Sequence, residues 1–245
     1  KKLLLLLLLF ILTCQQDFGK LHLEAKLPKV LEEVSGIQYD KELSAFWMLN
    51  DSGNSPSIFL VSEQGEILRE VKVNADNNDW EDIAQDIDGN LYVGDFGNNA
   101  NKRKNLQILK IDKKNLKETT TIEVQKTFFS FPEQTVFPPK DMYFDVEAFF
   151  ELKGFFYIFT KSRVKNKIGR TFLYKVPNQE GTFKAEQISD FTTCKRRGCW
   201  ITGADISDDG KKVALVNHKS AWVFTEFLED DFFSGKSKKY AFKHN

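Results

Sequence analysis

The sequence predicts an all-β fold, a β-propeller with four visible four-stranded blades, and three observations lead there. The first is internal repetition. "VSGIQYDKELSAFWMLNDSGN" from Val34, "WEDIAQDIDGNLYVGDFGNN" from Trp80, "VEAFFELKGFFYIFTKSR" from Val146 and "GADISDDGKKVALVNHKS" from Gly203 share one grammar. Each opens on small or acidic residues, runs through a short apolar segment and a polar turn, and closes with a second apolar segment that ends in polar residues. Self-similarity of this kind marks a repeat architecture. The second observation is turn chemistry. Asp88-Gly89 and Asp209-Gly210 are hairpin dipeptides, and Lys153-Gly154 fills the same place in the third copy. The third is that two more strand candidates follow each hairpin, with no convincing 3.6-residue periodicity outside the N-terminal leader.

Taken in order, those outer candidates are "SIFLVS" and "ILREVKV", "LQILKI" and "TIEVQKTFFSF", "TFLYKV" and "AEQISDF", "SAWVFTEF" and "KKYAF". Two inner and two outer strands per unit is how a propeller blade reads. The uneven spacing of the four units argues against a solenoid, and a β-sandwich is the alternative. "KYAFKHN" stops where an outermost strand should lead into another innermost one, so the expected ring is an incomplete five- or six-bladed one. With 245 residues and 41% apolar side chains, the chain can bury the core of one such domain. The predicted division is a signal peptide over 1–14, a linker over 15–26 and the propeller over 27–245.

Lys1 and Lys2, an unbroken apolar run from Leu3 to Leu12, then Thr13 and Cys14, form a basic region, a short apolar region and a cysteine at the cleavage point. The run is half the length of about 20 residues needed to span a bilayer. It resembles a bacterial lipoprotein signal with Cys14 as the acylated first residue; ordinary secretion is the other reading. Both put the folded part in the cell envelope or outside the cell, with the membrane reached through a lipid anchor alone. Lys+Arg and Asp+Glu are equal at 35 each, which gives no general attraction to nucleic acid. In an oxidising compartment Cys194 and Cys199 are expected to form a disulfide closing a short loop. A metal site is the sharper alternative, and two thiols without a second Cys or His pair support it weakly.

Antiparallel pairing brings the start of a blade's innermost strand and the end of its second strand to one edge. Asp79, Glu81 and Asp82 should therefore meet Asp95, Asn98 and Asn99 on one face of the disc. The same rule adds Ser35 with Asn50 and Asp51, Asp145 and Glu147 with Thr160, Lys161 and Arg163, and Thr202 and Asp205 with Asn217 and His218. Asp51 in "NDSGN" also reads as an ordinary turn cap, and Trp80 as a core residue. Glu147 and Glu81 occupy equivalent positions at the start of apolar strands, where a carboxylate is costly to bury without a partner. The metal set predicted from position is Asp51, Glu81, Asp95, Glu147 and Asp205. Asn50, Asp79, Asp82, Asn98, Asn99, Lys161 and Arg163 are the ligand-binding candidates around it. Oxygen-only ligands suit calcium, and a single face histidine argues against zinc. The competing reading is an ion-pair network in which these carboxylates neutralise Lys161 and Arg163.

At "VSGI", "NDSGN", "DWEDIA", "GDFGNNAN", "DVEAFF" and "TGADISDDG" the chain resembles a group of exported bacterial β-propeller proteins without a settled activity. It is distantly similar to NHL-repeat, phytase-like esterase and gluconolactonase propellers. The resemblance implies a polar, calcium-compatible upper face. Glu33, Asn99 and Asp205 match the lactonase-like ion ligands only loosely. Lys102, Arg103, Lys161, Arg163 and Arg170 are the basic residues a phytase-like site would use, but the denser carboxylate clusters of such enzymes are missing. No G-x-S-x-G, H-E-x-x-H or P-loop signature occurs. Two function classes follow: an envelope binding or scaffold module for a carbohydrate, peptide, protein or phosphoester, or a calcium-dependent hydrolase of a phosphoester, ester or lactone.

Overall fold

The structure, a computed structural model, describes residues 19–118 and 121–243. Blade 1 holds β1 (Val34–Asp40), β2 (Ala45–Asn50), β3 (Ser57–Val61) and β4 (Ile67–Lys72); blade 2 holds β5 (Trp80–Gln85), β6 (Leu91–Asp95), β7 (Leu106–Ile111) and β8 (Gln125–Ser130). Blade 3 is built from β9 (Asp145–Leu152), β10 (Phe155–Lys161), β11 (Arg170–Pro177) and, after the short β12 (Gly181–Lys184), β13 (Glu186–Thr192). Blade 4 comprises β14 (Gly203–Ile206), β15 (Lys212–Asn217), β16 (Ser220–Thr225) and β17 (Lys236–Ala241). Each sheet is an antiparallel meander of four strands, arranged as a four-bladed propeller. All eight outer strand candidates coincide with strands.

β12 is the departure. It pairs in parallel with β8, from Gly181↔Thr127 to Lys184↔Ser130, so blade 2 carries a fifth strand supplied by the blade 3 segment. Thr127 Oγ1 donates to the Gln179 carbonyl (2.7 Å), and the Ala185 N–H donates to that of Ser130 (2.9 Å), extending the seam.

The core lies between blades. Trp47, Leu49, Trp80, Leu91 and Leu109 fill the space between blades 1 and 2. Tyr92, Phe96, Phe129, Phe149, Phe156 and Tyr174 fill that between blades 2 and 3. Phe150, Tyr157, Phe159, Leu215, Phe224 and Phe232 join blades 3 and 4. Edge-on ring pairs such as Phe96–Phe149 (5.2 Å, 88°) and Phe191–Phe224 (5.0 Å, 89°) show why the chain invests so heavily in Phe: flat rings interleave between stacked sheets. Being covered on both faces, β6 is buried at every position, whereas β15 alternates exposed and buried because one face of blade 4 is open.

Inner strands β1, β5, β9 and β14 pack in succession around the axis. At Gly36 a Cβ would lie 2.8 Å from the Asp82 Cα and the Ile83 nitrogen, so this glycine is required by the approach of two backbones. Ser35 Oγ donates to the Trp80 carbonyl (2.8 Å), and the Phe149 N–H donates to Asp82 Oδ2 (3.1 Å), stitching three inner strands together. Among the described residues no comparable packing joins β14 to β1. A Lys41–Asp208 ion pair crosses there, and residues 19–26 run from the end of β17, where Lys20 bridges Lys243, to Gly65 in the β3–β4 turn.

The hairpin turns lie on the opposite face from the strand starts, as the pairing demands. Lys153 and Gly154 both have positive φ (51° and 83°), the requirement of a tight two-residue hairpin. Gly89 and Gly210 instead take the single left-handed position of longer loops, closed by Gly89 N–H to Asp86 O (3.0 Å) and Gly210 N–H to Ser207 O (2.7 Å). Cys194 and Cys199 form a disulfide, closing the loop before β14.

Candidate functional site

A β-bulge opens the inner strand of three blades, and it decides where the carboxylates point. Trp80 pairs with Asp95 and Asp82 with Gly94, which leaves Glu81 as the extra residue. Val146 pairs with Thr160 and Ala148 with Phe159, which leaves Glu147. In blade 1 the same shift between Val34 and Gly36 leaves Ser35. A bulge re-aims its extra side chain and ends regular pairing. Glu81 and Glu147 are thereby equivalent in geometry as well as in sequence.

The five carboxylates of the predicted metal set part company. Oxygens of Asp51, Asp79 and Glu81 lie within 4.8 Å of one another, grading from partly exposed Asp51 to buried Glu81. Asp51 comes from the end of β2, Asp79 and Glu81 from the entry to β5, so two blades build the cluster. Glu81 is only 7% exposed, and among the described residues its carboxyl has neither a hydrogen-bond donor nor a cation. Burial first, then the charges of Glu147, Asp51, Asp79 and Asp145, push it up to about 10. Asp79 is also raised, chiefly by burial and then by Asp51, against the opposing pull of Arg103 and a Ser52 hydrogen bond.

Gly97 forms the wall of this cluster. A Cβ there would sit 2.4 Å from both Asp79 Oδ2 and Glu81 Oε1. Gly97 is not among the residues with positive φ, so its backbone tolerates any side chain; the two carboxylates are what exclude one.

Asp95 lies behind the cluster and is fully buried. It accepts from Arg103 Nη2 (2.9 Å), Asn78 Nδ2 (2.8 Å), Gln107 Nε2 (2.7 Å) and the Asp79 N–H (3.1 Å). Four donors leave it no free lone pair directed at the face, so it acts as the post that holds Asp79 in place. Asp145, also fully buried, accepts from Arg163 Nε (2.6 Å) and from the Asn98 N–H (2.8 Å). Glu147 is paired with Lys161 and accepts from Arg163 Nη2 (3.4 Å). Burial and Asp145 raise Glu147, while Lys161 and Arg163 hold it down. Asp205 is separated from the group: it is exposed on β14, accepts from the Ile206 N–H (2.8 Å), and is flanked by Asp208 and Lys41 of the turn face.

The other candidates divide the same way. Asn50 turns from the axis and donates to the Val30 carbonyl (2.7 Å). Asp82 serves the inner-strand stitching described above, its carboxyl raised by burial. Asn98 donates to the Phe144 carbonyl (3.0 Å) and accepts from the Arg103 N–H (2.9 Å), while Asn99 is exposed beside it. Arg170, at the start of β11, is paired with Asp190 across the outer strands of blade 3. Trp80 is a core residue, as its size suggests. Trp200, next to the disulfide, donates to the Ser162 carbonyl (2.9 Å) and lies 6.0 Å from Lys161 Nζ. Cys14 falls outside the described residues.

Sequence position alone did not separate Asp79 from Asp95, nor show Gly97 as part of the site. "GDFGNN" carried a signal for Gly97, a glycine at the end of a strand facing acidic residues. Arg103, singled out only as a basic residue for a phytase-like site, instead braces Asp95, and its guanidinium also donates to the Gly97 carbonyl (2.8 Å).

Residues 13–132 match the family model described as SdiA-regulated, a stretch that takes in blades 1 and 2 and the whole Asp51–Asp79–Glu81 cluster. The chain is a β-propeller, and just under half of it is similar to that family. The SdiA-regulated match stops short of blades 3 and 4, which supply Glu147, Lys161 and Asp205. No curated protein matches by sequence. Similar solved structures include virginiamycin B lyase from Staphylococcus aureus, at 12% identity and a TM-score of 0.41, covering 84% of this chain and 55% of the lyase. A protein of unknown function from Bacteroides caccae is 14% identical with a TM-score of 0.44, covering 84% and 60%. A nidogen/laminin complex gives 13% and 0.43, covering 84% and 64%. The chain thus spans a little over half the length of these structures.

Proposed function

We propose that the protein is an exported binding module of the cell envelope whose upper face takes up a hard divalent cation, calcium by its ligand chemistry, at Asp51, Asp79 and Glu81. The observation that carries this reading is Glu81: a buried carboxyl without a donor, converging with two further carboxylates. A cation supplies what the protein does not. Calcium accepts six to eight oxygen ligands in flexible geometry, so three carboxylates leave positions for water and for the oxygens of a carbohydrate, peptide or phosphoester. Asp145, Glu147, Lys161 and Arg163 then form a charge-balanced wall beside the ion. Anchoring through Cys14 belongs to the same proposal, and intact-mass analysis of protein from its host should show a lipid-modified N-terminal cysteine; an unmodified N-terminus would leave export alone.

Equilibrium dialysis against calcium tests the site. About one ion per chain is expected for the wild type, with at least a tenfold loss of affinity for Asp79→Asn. Gly97→Ala should keep the fold, since its clash is with carboxylate ends that can swing aside, yet weaken binding by spreading Asp79 and Glu81. Absence of binding up to millimolar calcium, or variants that bind as the wild type does, would refute the site.

A further inference from the structure

The outer edge of blade 4 is a lysine strip beside the place where the N-terminal tether arrives. β17 and its extension carry Lys236, Lys238, Lys239 and Lys243 with no acidic residue among them, in a chain of zero formal net charge. Every position of β17 except Tyr240 is exposed. Lys236 is paired with Glu226 (2.6 Å); Lys238 and Lys239 have no carboxylate partner among the described residues and lie instead over the rings of Tyr240 (4.8 Å) and Trp222 (5.5 Å). Lys238 and Lys239 project to opposite faces of the sheet, so both reach a surface only when that surface meets the blade edge-on.

The chain itself supplies the direction. Gly19 and Lys20 run along the end of β17: the Lys243 N–H donates to the Gly19 carbonyl (2.7 Å), and Lys20 bridges Lys243 in parallel. This adds a fifth lysine to the strip. Cys14 precedes Gly19 by five residues, a span of at most about 18 Å when fully extended. A lipid on Cys14 would bring this edge of the propeller close to the bilayer.

We propose that the β17 edge, with Lys20, Lys236, Lys238, Lys239 and Lys243, is a membrane-facing surface that binds anionic phospholipid headgroups. Lysines near an anionic leaflet each contribute about 1 kcal/mol, and the attraction falls off within a Debye length. The long stems also let the ammonium groups of both sheet faces extend beyond the strand edge. The strip goes beyond the cation site and is independent of it; the tether only fixes which edge is presented. Held this way, the propeller stands on its rim, leaving both ends of its axis, and the acidic face, open to the aqueous phase.

The test uses the chain from Gln15 onward, which keeps every described residue and lacks Cys14, so that binding cannot come from the lipid. It should co-sediment with vesicles containing phosphatidylglycerol at low ionic strength, release in high salt, and ignore vesicles of phosphatidylcholine. Lys236→Gln, Lys238→Gln and Lys239→Gln together should weaken it by roughly a hundredfold, about fivefold per lysine. The same three changes at Lys113, Lys114 and Lys117, exposed on blade 2, should leave binding as it was. Failure to bind phosphatidylglycerol vesicles, equal binding to phosphatidylcholine, or equal losses in the two triple variants would overturn the proposal and leave the lysines as a guard against edge-to-edge strand pairing. Circular dichroism melts of both variants separate loss of binding from loss of fold, and calcium binding by the edge variant reports separately on the acidic face.

Discussion

Asp95→Ala is expected to lower the melting temperature by roughly 6–20 °C, because it strips one partner from a buried ion pair, a change that costs about 3–5 kcal/mol, at about 2–4 °C per kcal/mol in a domain of this size. Arg103 would lose its carboxylate while remaining mostly enclosed, and Asn78, Gln107 and the Asp79 N–H would lose their acceptor together. Asp95→Asn, which keeps one acceptor oxygen, should fall between alanine and wild type. The comparison that makes the result interpretable is Lys41→Ala, which removes an ion pair whose side chains are 67% and 66% exposed. Exposed pairs contribute about 0–1 kcal/mol, so that variant should melt close to the wild type. Thermal denaturation followed by circular dichroism distinguishes the cases, and near-equal losses for Asp95→Ala and Lys41→Ala would contradict the assignment of Asp95 as a buried post.

Glu81→Gln is expected to act in the opposite direction on the calcium-free protein and to abolish its response to calcium. In the folded state the Glu81 proton is held up to about pH 10, whereas the ordinary value is 4.5. The folded state therefore binds more protons than the unfolded one between those limits, and wild-type stability falls as pH rises through that window. Glutamine carries no charge in either state. The variant should lose less stability with rising pH, so that it melts above the wild type by a margin that grows from pH 5 toward pH 9. Adding calcium reverses the order. A ligand at a hundred times its dissociation constant stabilises the state that binds it by about 2.7 kcal/mol, or roughly 5–11 °C here, and only the wild type should show the shift. Parallel pH profiles for the two proteins, with and without calcium, would show that Glu81 is not the group that couples protons and cation.

Much of this architecture was legible because its signals are local. Asp-Gly and Lys-Gly turns set the hairpins, and apolar runs of strand length supplied every outer strand. β12 was not legible: "GTFK" is four residues long, half polar, and its partner β8 lies some fifty residues earlier in a parallel pairing that no turn announces. At the site, antiparallel logic correctly brought Asp51, Asp79, Glu81, Asp95, Glu147 and Lys161 to one edge but could not say which carboxylates face the open end. That depends on the bulge at Glu81, which inserts a residue and breaks the alternation that positional reasoning relies on. It depends also on Arg103, which reaches back eight residues to claim Asp95. The ion-pair reading describes part of the acidic face: the network occupies Asp95, Asp145 and Glu147, and among the described residues it leaves the converging Asp51, Asp79 and Glu81 without an ion pair.

The parallel seam between β12 and β8 bears on the order in which the molecule is made. A chain that emerges N-terminus first completes β5 to β8 long before residues 181–184 appear, so blade 2 waits with an open outer edge while blade 3 is still being delivered. Blade 3 cannot finish without laying β12 on its predecessor on the way from β11 to β13. The two central blades are therefore a single folding unit of long-range contacts, a topology that forms slowly because distant segments must meet before either is rewarded. The latch strand gives the two central blades a seam that a single-blade opening cannot unzip, at the cost of a window in which β8 is exposed to any passing strand.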